Sequence, residues 1–191
     1  MASLDIMPFS SPLGGTVTVQ HGYLDASETF LTGEPVRITA SGTISEAADE
    51  PVDSGIVGIS AQPGSTAVTN PKTNANYTTN DLVSYWPAHP TQLWVTRNFA
   101  TDGAGTQAAP AQTNIGDQCG LSLTTGTWSL DTGVAAGAMI CRVVDVLNSQ
   151  KESIVTAGTT LAATDTFYVV FQIIASQLTP DSGLVIVPPA A

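Results

Sequence analysis

Short runs of β-branched and aromatic residues, each closed by glycine or proline within about ten residues, leave this chain little but sheet to fold into. Residues 166–176, TFYVVFQIIAS, are the most apolar segment and read as a central strand. Residues 139–147, MICRVVDVL, place Ile140, Arg142, Val144 and Val146 on one side and Met139, Cys141, Val143 and Asp145 on the other. Both sides are largely apolar, so this strand is also expected inside a sheet. β-Branched side chains lose χ1 freedom in a helix and fit a pleated surface. No convincing amphipathic helix interrupts the pattern.

The remaining segments follow the same rule. Val17 and Val19 alternate with polar residues, a period of two. A turn at Gly33-Glu34-Pro35 leads into a strand over 36–40. Residues 42–54 read as a loop with an acidic run, and 55–62 as a strand containing a glycine. Residues 63–80 read as a long turn-rich loop, 82–88 and 93–99 as aromatic strands, and 101–114 as a flexible loop. About eight strands in all predict an all-β fold, an antiparallel β-barrel or sandwich. Residues 1–14 hold Ile6, Phe9 and Leu13 between Pro8 and Pro12, which predicts an extended N-terminal arm rather than a packed element. The β domain is expected over 15–178. A C-terminal tail over 179–191 carries Leu184, Val185, Ile186 and Val187, a short apolar run stopped by two prolines.

The stretch IGDQCGLSLTTGTWSLDTG, residues 115–133, mixes Asp117, Cys119, Trp128 and Asp131 and so resembles a site. Its alternation about Thr-Thr-Gly-Thr is that of a hairpin. Cys119 falls on the side of Leu121 and Leu123, which favours a buried thiol. Trp128 is expected to anchor one face of the second strand and Leu130 the other. Cys119 and Cys141 lie on successive strands, where a disulfide would add about 3 kcal/mol. Two buried thiols are the expectation in a reducing compartment.

Charge and motif narrow the function. Five Lys and Arg face 16 Asp and Glu, for a net charge of −11. That is too few cations for a phosphate-binding surface, so no direct nucleic-acid partner and no anionic membrane is expected. The N-terminal stretch lacks a basic region and a continuous apolar core and does not read as a secretory signal. His21 and His89 form no zinc spacing. Glu46, Asp49, Glu50 and Asp53 lack the calcium-loop pattern and read as a solvated loop. There is no nucleophile elbow, phosphate loop or dinucleotide fingerprint. No enzymatic activity, catalytic residue, metal or cofactor is expected. Trp86, Trp94 and Trp128 leave open a carbohydrate-binding or adhesive β module. They are more often core or interface anchors.

Two segments carry a resemblance. ETFLTGEPVRITASGTI followed by SGIVGISAQ, and NIGDQCGLSLTTGTWSLDTG followed by ICRVVDVLNSQ, resemble the decoration, or cement, proteins on the heads of tailed bacteriophages. The matching positions are Phe30, Gly33, Glu34 and Val36, then Gly116, Asp117, Gly120, Leu121, Gly126, Trp128, Asp131, Val143, Val144 and Asp145. The resemblance spans roughly residues 15 to 176; the loops at 63–80 and 101–114 have no counterpart in it. It implies a structural capsid protein of the outer head surface, made in the host cytoplasm; the alternative is a carbohydrate-binding or adhesive β module of a phage tail or fibre. It further implies a homo-oligomer, a trimer above all, that clamps neighbouring major capsid protein subunits. Ile6, Phe9, Leu13, Leu184, Val185, Ile186 and Val187 are then the expected capsid-contact residues, because they are apolar and lie where no helix forms.

Overall fold

A computed structural model of the chain describes residues 6–10, 17–52, 55–162 and 164–176. The described residues form a β sandwich with two main sheets, and no barrel closes. The larger sheet has seven strands: β1 (Ile6–Ser10), β9 (Leu93–Thr96), β14 (Tyr168–Ile173), β13 (Cys141–Leu147), β11 (Gln118–Thr124), β12 (Thr127–Asp131) and β10 (Phe99–Ala100), in that spatial order. The smaller has five: β2 (Gln20–Tyr23), β8 (Leu82–Pro87), β5 (Gly58–Ser60), β3 (Pro35–Ile38) and β4 (Ile44–Glu46). A short hairpin, β6 (Thr69–Asn70) and β7 (Ala75–Asn76), stands apart. Every pairing is antiparallel except that of β10 with β12.

β13 and β14 lie inside the sheet, as their apolar faces predict. Cys141 and Val143 point into the main core beside Phe171 and Ile173. The register then slips between Val143 and Asp145, so Val144 is an extra, exposed residue and Val146 returns to the core. This β-bulge breaks the simple alternation expected for residues 139–147.

The main core joins both sheets. Ile59 and Trp86 of the smaller sheet meet Trp94, Leu121, Trp128 and Phe171 of the larger. The smaller sheet also buries its other face. Leu24, Phe30, Val36, Tyr77, Val83 and Tyr85 form a second core, closed by the segment expected as a loose loop over 63–80. β4 lies within the expected acidic loop, because Ile44 is needed in this second core. Residues 17–19 lie outside the strands, and the strand there is β2 instead. Helix is confined to single turns, including α1 (Ile154–Ala157).

The expected arm is only partly an arm. Ile6–Ser10 is extended, but as edge strand β1 of the larger sheet, with Ile6 fully buried in the main core. An apolar side chain opposite β9 gains more from that core than from water. The strand therefore extends the sheet beyond the boundary expected at residue 15. Leu13 and residues 179–191 lie outside the described residues.

Candidate functional site

The hairpin that resembles a site is built for folding. Thr125 and Gly126 have φ of 51° and 75°, the two positive values that a tight two-residue hairpin turn requires. Leu121 faces Leu130 and Leu123 faces Trp128 across the pair. Residues two apart share a strand face, so Trp128 and Leu130 both enter the main core; the expected split between them is corrected. The opposite face carries Ser122, Ser129 and Asp131, all buried. The loop that follows β10 covers it.

Asp131 holds that loop. Its carboxylate accepts the backbone N–H of Gly103 at 3.2 Å, Gly105 at 3.1 Å and Gly133 at 2.8 Å, and the Ser122 hydroxyl at 3.2 Å. A β-carbon on Gly133 would lie 2.4 Å from the Gly103 nitrogen, so only glycine lets the two backbones approach. Asp102 organises the outer half of the loop by accepting from Ala104 and Thr106 N–H. The Thr106 side chain, above all, holds the Asp102 carboxyl below its ordinary value.

Within the acidic run, Glu46 and Asp49 are engaged with their own chain, and Asp53 lies outside the described residues. Asp49 accepts the Leu123 N–H at 2.7 Å, linking the loop before β5 to the hairpin. Glu46 accepts the Thr29 hydroxyl, and Glu28 accepts both the Ser45 hydroxyl and the Glu46 N–H. Among the described residues no three His, Cys, Asp or Glu side chains converge as metal ligands. His21 Nδ1 lies 2.9 Å from the Ser84 hydroxyl, which also donates to Gln62 Oε1. The pair sits on the exposed edge of the smaller sheet. His89 pairs with Thr91. Two open hollows of about 220 and 350 Å³ share Thr159 and Leu161 and are lined mainly by hydroxyl, amide and aliphatic groups.

Cys119 and Cys141 sit directly opposite each other across β11 and β13, as free and fully buried thiols. Burial pushes both thiols well up, aided at Cys119 by the carboxylates of Asp117 and Asp131 and at Cys141 by Cys119. A thiol whose folded value is raised favours folding fully below its unfolded value, about 8.5. That contribution is lost as pH rises from there towards the folded value, by about 1.4 kcal/mol per pH unit for each thiol. We expect native protein to resist a thiol reagent at mildly alkaline pH and to titrate two thiols in concentrated guanidinium. We also expect a Cys119→Ala, Cys141→Ala variant to show a flatter fall of denaturant stability above about pH 8.5. Rapid labelling of the native thiols, or equal slopes, would contradict this assignment.

Of the expected contact residues, Ile6 is buried within its own chain, whereas Phe9 is 47% exposed at the irregular end of β1. Leu13, Leu184, Val185, Ile186 and Val187 lie outside the described residues. Trp94 and Trp128 are fully buried, and Trp86 packs partly buried on the same core, so they form no stacking platform for a sugar. The sequence reading missed a feature of the larger sheet's outward face. There Arg97 and Lys151 lie 5.9 and 6.0 Å from the ring centre of Tyr168.

The fold and these contacts define an all-β sandwich whose buried carboxylate ties down a loop. The chain matches no protein-family model and no curated protein.

Proposed function

We propose that the chain is a structural virion protein that decorates a phage head, stabilising the capsid by bridging neighbouring major capsid protein subunits on its outer surface. One observation supports the reading: most residues of the resemblance hold core, turn or close-approach positions of the sandwich. Phe30 and Val36 fill the second core; Leu121, Trp128 and Val143 fill the first. Gly33 and Gly126 take the positive φ of their turns, and Asp131 ties the loop after β10. A β-carbon on Gly120 would meet the Ala138 carbonyl at 2.4 Å. In this reading each copy buries modest area on several subunits, and symmetric repetition makes weak contacts strong. A trimer on a local threefold axis suits such bridging. Phe9, Leu13 and the apolar tail residues Leu184 to Val187 supply contacts by adding to exposed strand edges.

The test is to add purified protein to heads assembled without it, then measure occupancy, heat-induced rupture and position by electron microscopy. Saturable binding to the outer surface with later rupture is expected. Absence of binding, or density on the tail alone, would overturn the proposal. Deleting residues 1–14 removes β1 and Ile6 from the core, so Phe9→Asp is the cleaner probe of a contact at this end.

A further inference from the structure

We propose that Asp102–Gly103 is a latent site of isoaspartate formation, kept closed by the Asp131 carboxylate; the inference stands apart from the reading of the chain as a decorating protein. In this modification the backbone nitrogen that follows an aspartate loses its proton and attacks the side-chain carboxyl carbon. A C–N bond forms, a C–O bond breaks, and water leaves from the protonated carboxyl, giving a cyclic succinimide. Water then opens the ring at either carbonyl. One product is the original aspartate; the other routes the backbone through the side-chain carboxyl. The net change is an isomerisation that needs no oxidant and no cofactor.

The fold itself puts the liability here. Asp102–Gly103 is the only Asp–Gly pair in the sequence, and there is no Asn–Gly pair. A following glycine favours the ring because no side chain shields its nitrogen. Residue 103 is held to glycine: its φ is +70°, and a β-carbon would lie 2.8 Å from the Gly133 carbonyl oxygen. Asp102 is exposed, so water reaches its carboxyl.

The same loop withholds both reactants. The Gly103 N–H, whose nitrogen is the nucleophile, donates to Asp131 at 3.2 Å. A buried carboxylate as acceptor disfavours loss of that proton, since an amide anion would face its negative charge. Asp102 Oδ1 accepts the N–H of Ala104 at 3.0 Å and of Thr106 at 3.2 Å, which commits the carboxyl to nitrogens further along the chain. The Thr106 side chain, above all, holds that carboxyl below its ordinary value, and so in the ionised form, the poorer electrophile. Reaction therefore goes through an opened loop, and its rate scales with the open fraction. Asp131 sets that fraction, because it ties Gly105 and Gly133 as well.

The test ages the full chain at physiological temperature and pH beside a synthetic peptide of residues 98–108, the unprotected reference. After digestion, aspartate and isoaspartate fragments have equal mass but separate by chromatography, and fragmentation tells them apart. We expect the native chain to isomerise at Asp102 about tenfold or more slowly than the peptide. Asp131→Asn should recover several-fold of the peptide's rate. Val83→Ala opens a cavity in the second core and should leave the rate at Asp102 near that of wild type. Melting curves check that each variant stays folded during ageing. If Asp131→Asn does not, Thr106→Val takes its place; it frees the Asp102 carboxyl from one partner and should also raise the rate. A native chain as fast as the peptide would overturn the proposal, as would a folded loop variant at the wild-type rate. Equal rises in the loop variant and Val83→Ala would show that unfolding of the whole chain, not the hold of Asp131 on the loop, controls the reaction, and would overturn it too.

Discussion

Replacing Asp131 with alanine is expected to lower stability by about 3–5 kcal/mol, the largest effect of any polar substitution in the described chain. The carboxylate is fully buried and accepts from three backbone N–H groups and one hydroxyl. Hydrogen bonds to a charged group contribute about 1.5–3 kcal/mol each, and they are not additive. Alanine leaves all four donors facing a void, and the donors of Gly103 and Gly105 recover by swinging their loop into water. Two readings follow from one variant. The melting temperature should drop by roughly 10 °C or more for a chain of this length. Limited proteolysis should cut near residues 101–108 first. Asp131→Asn keeps one acceptor oxygen but turns an amide N–H₂ towards donors, so it should fall between wild type and alanine. A melting shift under about 2 °C for alanine would show that the loop holds without the carboxylate.

Trp94 gives the second large effect and a built-in contrast. Trp94→Ala should cost about 3–5 kcal/mol through the cavity it leaves in the core between the two sheets. Its indole ring is fully buried, yet Nε1 has no hydrogen-bond acceptor among the described residues. A buried donor without a partner costs about 1–3 kcal/mol. Trp94→Phe removes that donor together with part of the ring, so the two changes oppose each other. Its net cost should stay below about 1.5 kcal/mol. Denaturant unfolding of both variants measures the contrast, and equal losses would mean that the indole N–H is satisfied after all.

How much of this was legible in the sequence depended on whether the cause was local. The hairpin of β11 and β12, the turn at Gly33 and the interior place of β13 and β14 follow from alternation and turn chemistry within a few residues. The bulge at Val144 does not, because it is fixed by pairing with a strand some 25 residues further on. β4 was hidden by the acidic residues around it; Ile44 reveals it only when Phe30 and Val36 are seen beside it. The role of Asp49 depends on a backbone N–H 74 residues away. The fate of Ile6 was hidden in the same way, since prolines announce extended chain but not which strand will receive it. The cation pair at Tyr168 was least legible of all: Arg97 and Lys151 are far apart in sequence and meet only over that ring.

The spatial order of the larger sheet has a consequence for synthesis. β14, the last described strand to be made, is inserted between β9 and β13, which are completed well before it. Until the ribosome has released residue 173, those two strands each present an open edge, and the sheet exists as separate halves. A small charged fraction, 11% of residues, gives the nascent chain few of the lysines and glutamates that usually guard such edges. The chain must therefore fold late and as a whole, and its yield in a cell is governed by how well those edges are kept apart while β14 is still inside the exit tunnel.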